Sequence, residues 1–355
     1  SKEQLAQNNY DLRKVIPVGT GPFRYKEHKE AEYWLFEANR DYWDKELPYV
    51  DAVRNIHVAS WTDRGTAVLT GQADLSWNVS RDTFEEGAKR SNMKTALLAN
   101  FGSYMVVWND EKPPFNDVRV RRALFLAINR HDEKKMYREE YFNVSRWQSP
   151  AGEGATPYEE LIKLPGYRQD NSADIVEAKR LLAEAGYPEG KGLRTLDFLC
   201  PSVVGLSQVY CPFYADQLKR NLGINVNMRV VERAMVSEEL KKDFDIAQGT
   251  IYHSPIRNHT PQWMIVYYSG GSQNFERYKN PEFDAIVDQL NGEMDTAKRA
   301  LLFRKAEEIL DANPPLYVSG FTSHMAMWAS YVKGMALETR VQTEWGRTDT
   351  AWLDK

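Results

Sequence analysis

The feature that most constrains the fold is a regular alternation of strand-like and helix-like segments between residues 192 and 251. The segments are, in order, LRTLDFLC, SQVYCPFYADQLKRNLG, INVNMRVVE, RAMVSEELKK and FDIAQGTI. Strands that are joined by helical crossovers run side by side in the same direction. The pattern therefore predicts a β-α-β-α-β core with an open parallel sheet. In its middle strand the apolar residues alternate from Ile224 to Val230, which predicts one buried face.

The chain before this core predicts antiparallel strands and short helices. FRYKEH and EYWLFEA predict a hairpin, VDAVRNIHVA a further strand, and ANFGSYMVVWN a strand rich in aromatic and β-branched residues. Residues 113–130 predict an amphipathic helix with Asn116 as its N-cap. Because Arg121, Arg122 and Arg130 fall off its apolar stripe, we expect them on the solvated or interlobe side of the helix.

Composition and motifs exclude several classes of protein. A hydrophobic content of 42% argues against disorder, and a net charge of -4 gives no electrostatic footprint for nucleic acid. The sequence contains no HExxH, no GxSxG and no phosphate-binding loop, so no cofactor is expected. His253 and His259 could ligate a metal, but no third ligand lies nearby at a recognisable spacing. Cys200 and Cys211 could form one bridge or remain free thiols.

Eight segments carry a family resemblance. They are VGTGPFRY, EANRDYWDKELPYVDAV, TGQADLSW, PPFNDVRVRRALFLAINR, AKRLLAEAGYP, QLKRNLGINVNMRVV, YKNPEFDAIVDQL and PPLYVSGF. In this order they resemble the family 5 solute-binding proteins of ABC importers, the dipeptide, oligopeptide and nickel-binding group. The resemblance implies an α/β, two-lobed, type II periplasmic binding protein fold that here lacks the usual N-terminal segment.

The resemblance also implies domains, a site and partners. Residues 1–103 with 323–355 would form the remainder of the first lobe, and 104–322 the second lobe. The residues expected to line the cleft between the lobes are Trp77, Asn78, Ser103, Tyr104, Thr250, Tyr252, His253, Ser254 and Phe321. For Trp77 and Tyr104, core packing is the alternative. The expected protein is a non-catalytic, monomeric, periplasmic or extracellular receptor, with or without a lipid anchor, that hands its solute to membrane permease subunits.

One departure from the family bears on the ligand. Peptide binders of this family place an aspartate in the loop after the third strand of the core, where it pairs with the amino terminus of the peptide. This chain has His253-Ser254-Pro255 there and no acid between Gly249 and Trp263. The leading hypothesis is a peptide-like or other polar solute, and the alternative is an oligosaccharide. A secreted hydrolase with an aromatic cleft is the rival from another class, but this loop supplies no carboxylate pair.

Overall fold

The computed structural model describes residues 19–137, 142–150, 152–202, 206–251, 263, 265–335 and 348–355. The chain divides into two compact units, unit 1 (Ser1–Leu98 with His324–Lys355) and unit 2 (Ala99–Ser323). The chain passes from one unit to the other along two long strands, β5 (Met93–Trp108) and β10 (Leu316–Ala329). The lobe boundaries expected from the sequence, 1–103 with 323–355 and 104–322, stay a prediction. No helix in the described ranges is long and apolar enough to cross a bilayer.

Unit 1 contains an antiparallel three-stranded sheet and a smaller helical part. Its elements are β1 (Phe23–Lys29), β2 (Tyr33–Ala38), β3 (Ala52–Ile56), α1 (Trp61–Leu69), β4 (Leu75–Trp77), α2 (Arg81–Ala88), β11 (Val332–Lys333) and β12 (Trp352–Leu353). β1 pairs with β2 and β2 with β3, so the hairpin that the sequence predicts is confirmed. β4 pairs with the last part of β10. A small apolar cluster lies under these helices and consists of Val68, Val79, Phe84, Met93 and Met327.

Unit 2 is a sheet flanked by helices. Its elements besides β5 and β10 are α3 (Val118–Ala127), α4 (Arg130–Tyr137), β6 (Phe142–Asn143), α5 (Tyr158–Leu161), α6 (Ser172–Glu184), β7 (Leu196–Pro201), α7 (Cys211–Leu222), β8 (Val226–Val231), α8 (Val236–Lys241), β9 (Ile246–Ile251), α9 (Pro281–Gly292) and α10 (Thr296–Ala312). β7 runs parallel to both β8 and β9, which confirms the predicted core. β5 adds an antiparallel strand beside β9.

The middle strand of the predicted core, β8, is less buried than its sequence pattern suggests. Met228 is 44% exposed and Val230 is 57% exposed, so the predicted buried face is wrong beyond Val226. The reason is position, because β8 is the last strand in the hydrogen-bonded order and is covered less than a central strand. The Arg229 guanidinium pairs with the Asp197 and Glu239 carboxylates, each at 3.1 Å.

The arginines around α3 are partners of protein groups, and two of them are buried. Arg121 is 6% exposed and Arg130 is 1% exposed, so of the two sides expected for them the solvated one is wrong for these residues. Arg121 bonds to the Asn313 side chain and forms an ion pair with Asp110 at 3.5 Å. Asp117, and not Asn116, caps α3 by accepting from the Arg119 amide. The sequence pattern placed these arginines off one apolar stripe, but neighbouring segments cover the other side of the helix too.

Arg130 lies at the centre of the aromatic core of unit 2. Its guanidinium carbon lies 4.3–4.5 Å from the ring centroids of Phe125, Tyr167 and Tyr317. It also donates to the Val318 carbonyl at 2.9 Å. Nearby, the fully buried Glu133 carboxylate accepts from the hydroxyls of two core tyrosines (Tyr214 at 2.6 Å and Tyr317 at 3.0 Å). Arg130 Nε and Nη1 and both Glu133 oxygens are therefore bonded to protein groups, whereas Arg130 Nη2 is buried without a partner among the described residues.

Candidate functional site

In unit 2, the candidate residues lie where β5 runs beside the end of β9. Ser103 pairs with Ile251 and Tyr104 with Thr250, so the backbone of Thr250 lies directly opposite Tyr104. Ser103 is 1% exposed, and its hydroxyl has no hydrogen-bond partner within the described part of the chain. Buried hydroxyls are normally paired, so Ser103 Oγ retains the capacity to bind a further polar group.

Tyr104 forms one half of an aromatic pair. Its ring stacks on Tyr210 with centroids 4.8 Å apart and an interplanar angle of 30°. Tyr104 is partly exposed, whereas Tyr210 is 8% exposed. The next residue, Cys211, is bonded to Cys200 at the end of β7, with the Cα atoms 6.3 Å apart. The bridge therefore exists, and the free-thiol alternative is wrong.

Gln248 adds a polar group to the same face of the sheet. In the β5–β9 pairing it lies opposite Val106, two residues along from the Tyr104–Thr250 pair, so Gln248 and Tyr104 share a face. Gln248 is fully buried, and its Nε2 donates to the Gly249 carbonyl at 3.1 Å. Its Oε1 has no partner among the residues described. It can accept a hydrogen bond from a solute N–H or O–H.

In unit 1, the candidate residues lie at the end of β4. Trp77 pairs with Ala326 of β10 and is 8% exposed. Its indole Nε1 is buried and has no acceptor in the described ranges. Asn78 follows with a φ of 57°, a left-handed conformation that asparagine tolerates better than most residues. The chain then turns into α2, which Ser80 caps by accepting from the Thr83 amide.

His324 lies close to this part of unit 1. Its ring centroid is 6.5 Å from that of Trp61, and burial lowers the pKa of the imidazole to about 4. At neutral pH the ring is therefore uncharged and can both donate and accept a hydrogen bond. Trp61 is 48% exposed, which is unusual for an indole in a folded domain.

Of the remaining candidates, one is buried and three lie outside the described residues. Phe321 on β10 is fully buried and pairs with Asn143 of β6, and its predicted contact with a solute stays a prediction. The loop residues Tyr252, His253 and Ser254 lie outside the described residues, as does the His253–His259 metal hypothesis. Among the residues that are described, no group of three or more His, Cys, Asp or Glu side chains could hold a metal ion.

The groups at these two places suit reversible binding. Unit 1 offers a buried indole donor. Unit 2 offers an amide acceptor and a supported aromatic ring on one face of its sheet, and the buried Ser103 hydroxyl on the other face. Hydrogen-bond donors and acceptors among aromatic rings fix the orientation of a polar solute. In unit 2 the carboxylates of Glu133 and Glu307 are fully buried and bonded to protein donors.

Tyr210, Gln248 and His324 were not among the residues expected from the sequence. Gln248 had a signal, because it is a polar residue inside the otherwise apolar strand FDIAQGTI. For Tyr210 the sequence contained only a partial signal. Its neighbour Cys211 was a possible disulfide partner, but nothing in the sequence predicted that the Tyr210 ring would stack on Tyr104. His324 had no signal, because it lies in a strand whose two faces cannot be assigned from alternation alone.

Comparisons with known proteins point to one family. The sequence model described as "Bacterial extracellular solute-binding proteins, family 5 Middle" matches residues 3–274. The periplasmic oligopeptide-binding protein OppA of Salmonella typhimurium is 27% identical over 338 residues, which cover 90% of this chain and 60% of OppA. The oligopeptide-binding protein AppA of Bacillus subtilis is 26% identical and covers 91% of this chain and 60% of its own length. The chain thus spans about 60% of these curated relatives.

Solved structures show which fold the chain has. The periplasmic binding protein DppA of Helicobacter pylori, in complex with the peptide STSA, superposes with a TM-score of 0.81 at 24% identity. The match covers 99% of this chain and 67% of that one. AppA of Bacillus subtilis in complex with a nonapeptide gives a TM-score of 0.81 at 21% identity, over 100% of this chain and 72% of that one. The two-lobed periplasmic binding protein fold expected from the sequence is confirmed.

Proposed function

Because this chain belongs to the bacterial extracellular solute-binding proteins of family 5, we propose that it captures a peptide-like polar solute and passes it unaltered to the permease subunits of an ABC importer. It acts outside the cytoplasmic membrane, as a monomer and without catalysis. Trp77 and Asn78 of unit 1 contact the solute together with Ser103, Tyr104 and Thr250 of unit 2. Tyr252, His253, Ser254 and Phe321 stay in the proposed set on the strength of the family resemblance.

One observation carries the proposal beyond family membership. Two atoms of the proposed set, Trp77 Nε1 and Ser103 Oγ, and Gln248 Oε1 of β9 are buried and have no partner among the described residues. Leaving a buried donor or acceptor unpaired costs about 1–3 kcal/mol, so such groups normally meet a partner. A peptide backbone supplies both carbonyl acceptors and amide donors. Relatives that bind peptides, by their names and by their complexes, support this solute class.

The test is to incubate the chain with an equimolar mixture of synthetic tri- to pentapeptides and, separately, with an oligosaccharide mixture. Native mass spectrometry then identifies what is retained. We expect one peptide per chain, released with unchanged mass, and a rise in melting temperature that grows with peptide concentration. Retention of sugars alone would favour the oligosaccharide alternative. Fragments that accumulate over many turnovers would indicate a hydrolase and contradict the proposal.

A matched pair of tryptophan variants locates the site. Trp77→Phe removes the indole donor and keeps an aromatic ring, so we expect the Kd for the retained peptide to rise about 10-fold. Trp43→Phe makes the same change at a residue that is 77% exposed, and it should leave the Kd unchanged. Calorimetry measures both constants. Equal Kd values in the two variants would remove Trp77 from the site.

A further inference from the structure

We propose that the Cys200–Cys211 disulfide positions Tyr210 as the support of Tyr104, and that this ring pair forms a subsite for a flat, apolar side chain of the solute. The inference rests on the proposed function, because it names the part of the solute that unit 2 selects. It makes Cys200, Cys211 and Tyr210 positioning residues, whereas Tyr104 touches the solute.

The disulfide fixes the start of α7 against the end of β7. Cys200 lies in β7, Cys211 is the first residue of α7, and both are fully buried. The bond closes a short loop, since the two cysteines are 11 residues apart in the sequence. Tyr210 directly precedes Cys211, so its Cα lies about 3.8 Å from a cross-linked Cα. The bridge therefore restricts where the Tyr210 ring can lie.

The backbone around Tyr210 has an irregular conformation. Residues Leu206–Tyr210 form one turn of π-helix, a rare conformation that occurs mostly within α-helices and often at functional sites. Tyr210 occupies the N-cap position of α7, where its side chain makes no capping hydrogen bond to the helix. The cross-link and the stacking contact with Tyr104 both tie this turn to the sheet.

Tyr104 is the member of the pair that a solute can reach. Tyr210 covers one face of its ring, yet Tyr104 remains partly exposed while Tyr210 is 8% exposed. Gln248 shares this face of the sheet and carries an unpaired carbonyl oxygen among the described residues. An aromatic ring beside a hydrogen-bond acceptor suits a peptide unit that has a flat apolar side chain and a backbone N–H.

Fixing the ring is what makes the subsite selective. Offset-stacked and edge-to-face aromatic contacts require a defined ring orientation, whereas a methyl group gains little from it. If Tyr210 were released, the Tyr104 ring could turn and an aromatic side chain would lose its preferred geometry. The structure thus predicts that the disulfide influences which solute is retained as well as how stable unit 2 is.

The experiment uses the full 355-residue chain with the disulfide intact and as the Cys200→Ala/Cys211→Ala double variant. The probe is an equimolar mixture of tripeptides in which one position is Phe, Tyr or Ala, and the retained peptides are counted by mass spectrometry. We expect the ratio of aromatic to alanine peptides to fall about 3- to 10-fold in the double variant. Tyr210→Ala should lower it similarly, and Tyr210→Phe should restore it because the ring remains.

Leu222→Ala is the control for lost stability. Leu222 is 1% exposed at the far end of α7, so the variant destabilises the same helix without touching the ring pair. It should lower the melting temperature and leave the peptide ratio unchanged. If Leu222→Ala shifts the ratio as far as the disulfide variant does, the effect is general loosening and the inference is overturned.

A second arm needs no solute. Tetranitromethane nitrates accessible tyrosines, and mass spectrometry locates the product. Tyr210 should react slowly in the wild type and several-fold faster without the disulfide. An unchanged rate at Tyr210 would overturn the positioning role. Retention of peptides at an unchanged ratio would overturn the inference alone, whereas retention of no peptide by the wild type would overturn the proposed function and the selectivity together.

Discussion

The two units bury their aromatic residues very differently. In unit 2 the rings of Phe125, Trp147, Tyr167 and Tyr317 are fully buried and in mutual contact. In unit 1 Trp77 is buried, but four other indoles are exposed by between 44% and 77%, namely Trp34, Trp43, Trp61 and Trp352. Since burial of apolar area is the main source of stability, the difference indicates that unit 2 is the stable part of the described chain.

The sheet of unit 1 illustrates the cause. No residue of β1, β2 or β3 is buried, although one face carries the aromatic residues Tyr25, Trp34 and Phe36. These rings contact one another and His28, which stacks on Trp34 with centroids 4.4 Å apart. A sheet with no covered face depends on cross-strand pairs alone, and such pairs contribute little each. Substitutions of aromatic residues should therefore lower the free energy of unfolding much more in unit 2 than in the sheet of unit 1.

The largest expected effect comes from a pair of aromatic deletions. Phe125→Ala removes a ring that is fully buried and covered by the Arg130 guanidinium. We therefore expect the free energy of unfolding of unit 2 to fall by about 4 kcal/mol. Trp34→Ala removes a larger ring that is 44% exposed, and we expect less than about 1 kcal/mol. Urea unfolding followed by circular dichroism measures both. Equal losses would break the comparison, because Trp34 would then be as well packed as a core residue.

The two units should also respond to pH in opposite directions. In unit 2, burial raises the pKa of Glu133 to about 7 from 4.5, so its contribution to stability is complete below pH 4.5 and is lost as the pH rises through 7. In unit 1, burial lowers the pKa of His324 to about 4 from 6.5, so its contribution is complete above pH 6.5 and is lost as the pH falls through 4. Each contribution is at most about 3 kcal/mol.

Single variants separate these contributions. Glu133→Gln should reduce the loss of unit 2 stability between pH 5 and 8, without abolishing it, because burial also raises the pKa values of Asp110 to about 8 and Glu307 to about 7. His324→Gln should reduce the loss of unit 1 stability between pH 6 and 4. Scanning calorimetry across this range measures both slopes. If both variants showed the same change of stability with pH, the two units would not unfold separately.

A much smaller effect than that of Phe125→Ala comes from helix caps, one in each unit. Ser60 caps α1 by accepting from the Asp63 amide, and Asp295 caps α10 by accepting from the amides of Ala297 and Lys298. Replacing either by alanine should destabilise its own unit by about 1 kcal/mol, and asparagine at either position should recover most of the loss. Hydrogen exchange reports each unit separately. A loss of protection in the other unit would show that the two are coupled.

Local sequence signals predicted most of the fold. The hairpin of β1 and β2 followed from alternation and a charged turn, and the parallel core followed from strands of residues 196–251 that alternate with helices. The signals were weaker where burial depends on distant segments. The apolar alternation of β8 did not reveal that this strand ends the sheet, and helical periodicity did not reveal that other segments cover Arg121 and Arg130.

The candidate site was less predictable than the fold. The family resemblance led to Trp77, Ser103 and Tyr104, which carry or adjoin buried groups with unmet bonding capacity. Tyr210 could not be found this way, because its role depends on a stacking contact across more than 100 residues and on a cysteine pairing that the sequence left open. Such contacts are set by the assembled sheet and not by any local period.

The open side of β8 has a consequence for the protein at high concentration. A strand that ends the described sheet and exposes Met228 and Val230 can template the addition of a foreign strand, which is how fibrils begin. Arg229 lies between them and is tied to Asp197 and Glu239. A second molecule docking on this edge would have to dehydrate that charge and disrupt its two ion pairs. We therefore expect this arginine to disfavour the pairing of two molecules along this edge.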